Sequence, residues 1–323
     1  MDRIAEKIFT KYPITEVWVR RIYAKVRELK PIKQFAKRFV GNKIETDGKI
    51  DVTCTPEQLF CCVEKYGIQK GDILIVHSSM DTLCKANLSA KKTIDWLLAL
   101  VGEEGTLVMP AFPHFTEKEN IDGEDAEVYD VKRTLAWTGM LPNLFLRYPG
   151  VIRSEWPCNP LAAKGSHAAE MMCDNLNAPV SQGRGTSWNY CAEHHAKVLF
   201  LGVKPFHSLS ESHIAEDYMY EEWPIDNWYI EQKYVIKKGK ERFPLTLKKR
   251  DPRWATYLTE YRNAEQLRNS GMLQEDDFCD IPIGFIADLK DFVDKFIVNI
   301  QNGELGYRIP KRYWKKRVSG VKE

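Results

Sequence analysis

Three uninterrupted apolar runs of strand length constrain this chain more than any other feature: Ile73-Leu74-Ile75-Val76, Leu107-Val108-Met109-Pro110 and Val198-Leu199-Phe200-Leu201-Gly202-Val203. A strand with one wet face alternates apolar and polar residues. A run that is apolar at every position belongs to a strand covered on both faces, as in parallel sheets. Such strands need helices on both sides, and the intervening segments supply them. Ser89 caps a helix whose Ile94, Leu97, Leu98 and Val101 make one apolar face, and Gly102 stops it. Thr55-Pro56-Glu57 opens another helix that ends by Gly67, and residues 208–220 and 287–300 read as helices. The expected fold class is α/β, a three-layer α/β/α core with a mainly parallel sheet. Residues 229–249 break the pattern. Two short strands flank Lys238-Gly239-Lys240, which predicts a β-hairpin in a small antiparallel annex.

Charge divides the chain of 323 residues into three parts. Residues 1–50 hold thirteen Lys/Arg against six Asp/Glu, with Trp18, Ile22 and Val26 at helical spacing, and read as a basic helical arm. A folded domain covers residues 51–303, and a basic tail covers 304–323. The formal net charge of +2 gives no support for nucleic acid as a partner. No apolar run approaches the length of a membrane span, and Asp2 and Glu6 stand where a secretory signal is basic. Eight cysteines without a C-x-x-C pair fit reduced thiols, so a cytoplasmic location is expected. Zinc-ligand spacings, a phosphate-binding G-x-x-x-x-G-K-[ST] loop and a G-x-S-x-G elbow are absent from the sequence, and no metal is expected.

Ligands of open α/β sheets bind where the strands end. The three apolar runs lead into His77-Ser78-Ser79, Ala111-Phe112-Pro113-His114 and Lys204-Pro205-Phe206-His207. A histidine there caps backbone groups or carries chemistry; the local sequence leaves both open. The segment from Ser208 to Asp217 is the richest. On a helix His213 shares a face with Glu216 at i+3 and Asp217 at i+4, which is either an ordinary ion pair or a carboxylate-oriented base. Glu117, Glu119, Asp122, Glu124, Asp125, Glu127 and Asp130 form either an acidic wall for a cationic ligand or a solvated loop.

These segments, in order, resemble the aminoglycoside 3-N-acetyltransferase family over roughly residues 52–300. The stretch from Gly71 to Met80 is similar to the family's "G-D-x-L-x-V-H-S-S-L". The stretch from Gly105 to Pro110 is similar to "G-T-L-x-M-P". Tyr129-Asp130, Thr134 and Gly139 echo "F-D … T-P-S … G". Pro149-Gly150-Val151-Ile152-Arg153-Ser154, Pro157 and Ala162-Ala163-Lys164-Gly165 follow "P-G-V-x-R-S-x-H-P-x-x-S-x-A-A-x-G". Leu201-Gly202-Val203 and Ser212-His213-Ile214-Ala215-Glu216 follow "L-G-V … L-H-L-A-E". The chain departs from the pattern at Trp156, where the family has His, at Pro160, where it has Ser, and at Leu135-Ala136, changes that the resemblance places in acceptor-side segments more than in acetyl-CoA segments.

The resemblance implies acetyl transfer from acetyl-CoA to an amine of an amino sugar, without a metal. It implies His213 as the catalytic base with Glu216 as its companion, and Ser78 at the oxyanion. It places His77, Ser78, Ser79, Met80 and Pro110 on the acetyl-CoA side, and Asp130, His207 and Asp217 on the acceptor side. The expected partners are acetyl-CoA and a small amine, with a homodimer allowed for. Two alternatives stand beside an aminoglycoside acceptor. One is the same chemistry on a nucleotide-linked amino sugar in surface-glycan synthesis. The other is a family member that has lost catalysis and serves as a binding or scaffolding protein.

Overall fold

The computed structural model describes residues 2–28 and 51–315, except for the side chains of residues 2–4, 27, 28 and 207. The remainder of the expected arm, residues 29–50, and the end of the basic tail, residues 316–323, lie outside the described residues.

In chain order the helices are α1 (Asp2–Lys11), α2 (Pro13–Glu28), α3 (Pro56–Glu64), α4 (Ala90–Val101) and α5 (Met140–Phe145). They continue as α6 (Ser187–Glu193), α7 (Ser212–Tyr218), α8 (Glu260–Asn269) and α9 (Leu289–Gln301). The strands are β1 (Ile73–Ser78), β2 (Thr106–Pro110), β3 (Lys118–Ile121), β4 (Glu124–Asp130), β5 (Ile152–Arg153) and β6 (Leu161–Gly165). Then come β7 (Lys197–Leu201), β8 (Tyr229–Lys238), β9 (Glu241–Arg250), β10 (Gln274–Phe278) and β11 (Ile281–Ile286).

The three apolar runs are the central strands of a seven-stranded sheet of order β10-β11-β7-β1-β2-β6-β5. Strands β7, β1 and β2 are parallel, and the strands flanking them are antiparallel. Side chains leave each central strand on alternate faces and enter two separate cores. Ile73 and Ile75 of β1 and Val198 and Phe200 of β7 join Trp188, Cys191, Ile214 and Phe292 from α6, α7 and α9. Leu74 and Val76 of β1 and Leu199 and Leu201 of β7 join Leu59, Ile94, Leu97 and Phe145 from α3, α4 and α5. Two cores on one sheet make the three layers. The expected caps form: Thr55 closes a capping box with Gln58, and Ser89 accepts from the Lys92 amide.

The hairpin expected at residues 229–249 is β8–β9, paired from Tyr229↔Arg250 to Lys238↔Glu241. It belongs to a second sheet of order β3-β4-β8-β9, antiparallel except for the parallel pairing of β4 with β8. Helix α1 docks on α8, and α2 packs on α1 and on the turn of residues 252–257. Arg268 of α8 pairs with Glu6, and Arg20 pairs with both Glu16 and Glu260. The buried face of α2 is not the one its apolar spacing suggests. Val17 and Glu16 are buried, whereas Trp18 is 65% and Ile22 56% exposed. Glu16 is tolerated inside because it accepts from Arg20 and from the Glu260 amide.

Candidate active site

The carboxyl ends of β1 and β2 open into a small cleft of about 130 Å³. His77 and Ser78 come from β1, Pro110 from the end of β2, Trp137 and Thr138 from the loop before α5, and Ser208 and Ser210 from the loop before α7. His77 Nε2 lies 2.6 Å from Oε1 of Glu211, and its ring stacks on Phe200 with centroids 4.9 Å apart. Glu211 is fully buried, and its Oε2 has no partner among the described residues. Ser78 Oγ is likewise buried and unpartnered. Ser79 turns the chain into the short helix Met80–Leu83. Gly202, at φ +77°, faces this turn, and a Cβ there would meet the Ser79 carbonyl at 3.0 Å.

Ser208 and Ser210 also line an adjoining cleft of about 120 Å³ that contains His213, Leu258 and Asn263. His213 Nδ1 sits 3.0 Å from Glu216 Oε1, inside ion-pair range but off the line of a hydrogen bond, so this nitrogen is buried without a formed one. Glu216 is held firmly. Tyr307 donates to its Oε1 at 2.9 Å and Arg250 to its Oε2 at 3.3 Å. Asp217 turns away from His213. Its Oδ1 accepts from Tyr229, and its Oδ2 accepts from the Gln182 amide and from Ser181. Arg250 donates to Gln182 Oε1 at 2.6 Å and approaches Asp217 at 3.8 Å, and Gln182 donates to the Ser210 carbonyl. The wall between the two clefts is thus tied to the carboxylates behind His213.

Burial pushes both carboxyls up, but with different outcomes. For Glu216 the neighbouring His213, Arg250 and Tyr307 outweigh burial and hold the carboxyl below its ordinary value. For Asp217 burial wins over Arg250 and raises it. Burial weakens the Arg250 cation, yet Asp217 and Glu216 more than restore it. Tyr229 and Tyr307 are raised by burial and by these anions, and stay as neutral donors.

The structure brings His77, Ser78 and Pro110 to one cleft and His213 to the next, with Glu216 behind it. Ser79 sits at the turn beneath them, and Met80 packs into the core under β1. Asp130 lies apart: its Oδ1 caps the backbone turn at Lys132 and Arg133. The side chain of His207 lies outside the described residues. The acidic stretch is paired on the annex sheet. Glu117 and Glu119 meet Lys237, Asp125 and Glu127 meet Lys118, and Asp122 and Glu124 meet Lys233. Sequence reasoning missed Glu211, Gln182, Arg250, Tyr229 and Tyr307. Glu211 lay inside the segment already singled out; the others carry no local signal. Among the described residues there is no group of three or more His, Cys, Asp or Glu side chains placed to hold a metal ion. Nor is any helix among them long and apolar enough to cross a membrane.

Residues 75–281 match the family model described as aminoglycoside 3-N-acetyltransferase. The chain belongs to this family. It is 32% identical over 163 residues to aminoglycoside N(3)-acetyltransferase IX of Micromonospora chalcea, covering 46% of this chain and 57% of that relative. It is 31% identical over 169 residues to the SPbeta prophage-derived aminoglycoside N(3')-acetyltransferase-like protein YokD of Bacillus subtilis (strain 168), covering 46% and 60%. The alignments thus span 57% and 60% of these two relatives' lengths. Its fold is similar to that of aminoglycoside acetyltransferase AAC(3)-IVa, with a TM-score of 0.62 at 21% identity over 80% of this chain and 93% of that one. It is also similar to AAC-IIIb, solved as a binary complex with CoASH, with a TM-score of 0.66 at 20% identity over 80% and 99%. The tryptophan at the family's His-Pro position, Trp156, is buried with Tyr129, Tyr234 and Ile236 under the annex sheet. Helices α1, α2, α3 and α9 and residues 304–315 lie outside the family match.

Proposed function

We propose that this chain is a cytoplasmic, acetyl-CoA-dependent N-acetyltransferase acting on an amine of an amino sugar. The observation that carries the reading is the histidine of α7, poised over a buried, tightly held carboxylate in a cleft that adjoins the His77–Ser78 cleft at the sheet's carboxyl edge. A family member solved with CoASH, and others solved with a gentamicin, apramycin and sisomicin, support a thioester donor and an amine acceptor.

In this reading the thioester lies at Ser78 and the amine approaches from the His213 side. The amine nitrogen bonds to the acetyl carbon, and the C–S bond breaks. His213 takes the amine proton, and Glu216 stabilises the imidazolium that forms. The unpartnered Ser78 hydroxyl donates to the oxyanion as it develops. The thiolate departs and takes a proton from His213 or from water. A purely binding role is not favoured, because His213 and Glu216 lie together and His213 lines a cleft.

The test pairs turnover with donor binding. With a competent acceptor, His213→Ala lowers acetyl-CoA thiol release by about 10²–10⁴-fold and leaves acetyl-CoA affinity nearly intact. Glu216→Gln costs less. A folded His213→Ala protein that binds acetyl-CoA and turns over at the parental rate removes His213 from the mechanism.

A further inference from the structure

We infer that the groove beside His213 seats an acceptor whose amine is carried on a nucleoside diphosphate. This rests on the acetyltransferase reading of the same site and names its acceptor class. The groove, of about 650 Å³, runs between α8, α9 and residues 303–314. Arg262, Lys295 and Arg308 line it, and none of the three has an acidic partner among the described residues. Glu304 also lines the groove, so three cations face one acid. A concavity with surplus positive charge concentrates anions, and two guanidinium forks suit phosphate oxygens. The partly buried Phe296 and Trp314 add apolar surface of the kind a nucleobase covers.

Two residues connect the groove to the candidate base. Asn263 lines both the groove and the His213 cleft. Tyr307 lines the groove and donates to Glu216, the carboxylate behind His213. Phosphates held by Arg262 and Arg308 therefore leave the attached sugar next to His213. The donor cleft is on the other side of the Ser208–Ser210 wall. Lys295, Arg308 and Trp314 lie beyond residue 281, where the match to the family model ends. The acidic stretch, which is the wall a polycationic acceptor would use, lies on the annex sheet and contributes no residue to this groove.

The experiment is calorimetric titration of the full chain with UDP and with ADP at low salt, with and without saturating coenzyme A. The expected result is that at least one diphosphate binds and that coenzyme A does not displace it. Arg262→Ala, and the double variant Lys295→Glu/Arg308→Glu, each weaken that binding by about tenfold or more, the usual cost of losing a charge-assisted contact. Both variants keep the parental melting temperature and coenzyme A affinity. The inference is overturned if neither diphosphate binds, if the variants bind like the parent, or if coenzyme A competes. A chain that binds the diphosphate but not coenzyme A keeps the groove and loses the acetyltransferase reading, so the two failures are distinguishable.

Discussion

Replacing Arg250 by Met takes away the cation between two buried carboxylates. Arg250 lies 3.3 Å from Glu216, 3.8 Å from Asp217 and 2.6 Å from Gln182. Removing one member of a buried ion pair costs about 3–5 kcal/mol, because the other charge stays inside uncompensated. Here the carboxylates keep other donors. Glu216 retains Tyr307, and Asp217 retains Tyr229, Ser181 and the Gln182 amide. The loss at pH 7.5 therefore falls near the lower end, at about 3 kcal/mol. Its pH dependence follows from the signs. In the parent, Glu216 is depressed, so its contribution is present above its unfolded value and is lost as pH falls through the folded one. Asp217 is raised and works in the opposite sense. Without Arg250, Asp217 is raised further, and Glu216 loses one of the groups that hold it down while His213 and Tyr307 remain. A raised carboxyl costs stability as pH climbs past its unfolded value and restores it as pH falls. The gap between variant and parent should therefore narrow between pH 7.5 and 5.5. Urea unfolding followed by tryptophan fluorescence measures it at each pH. A loss below about 1 kcal/mol at pH 7.5, or one as large at pH 5.5, would refute the assignment of Arg250 as the compensating charge.

Two further predictions concern the frame of the site. Gly202→Ala should lower stability by about 1–3 kcal/mol, since φ is +77° and a Cβ would meet the Ser79 carbonyl at 3.0 Å; an unchanged melting temperature would show that the turn under Ser78 is not confined by this contact. Trp156→Ala should cost about 3–5 kcal/mol through lost packing alone, because the ring is 1% exposed and its Nε1 makes no hydrogen bond; a cost below about 1 kcal/mol in a urea titration would mean that the cluster beneath the annex collapses around the gap.

The local sequence determined which segments are central strands and where α3 and α4 start and stop, whereas the helix read over 208–220 spans only Ser212–Tyr218. The reason is short-range: apolar runs, caps and glycine turns act within a few residues, so Ile73–Val76, Ser89 and Gly239 announce themselves. It also placed His213 and Glu216 on one face, since one helical turn is local geometry. What only the tertiary structure decided is what those residues meet. Glu211 reaches His77 across 134 positions, Tyr307 reaches Glu216 across 91, and Arg250 arrives from the end of a hairpin that read as a mere annex. Asp217 shares the helical face of His213 in sequence, yet it goes to Tyr229 and Gln182, because those donors satisfy a buried carboxylate better than an imidazole already beside Glu216. The sequence left the acidic stretch open as a wall for cations or a solvated loop, and pairing of β4 with β8 sets lysines against part of it. Charge is legible residue by residue, but whether it is neutralised depends on which strand lies opposite, and that is settled by the fold.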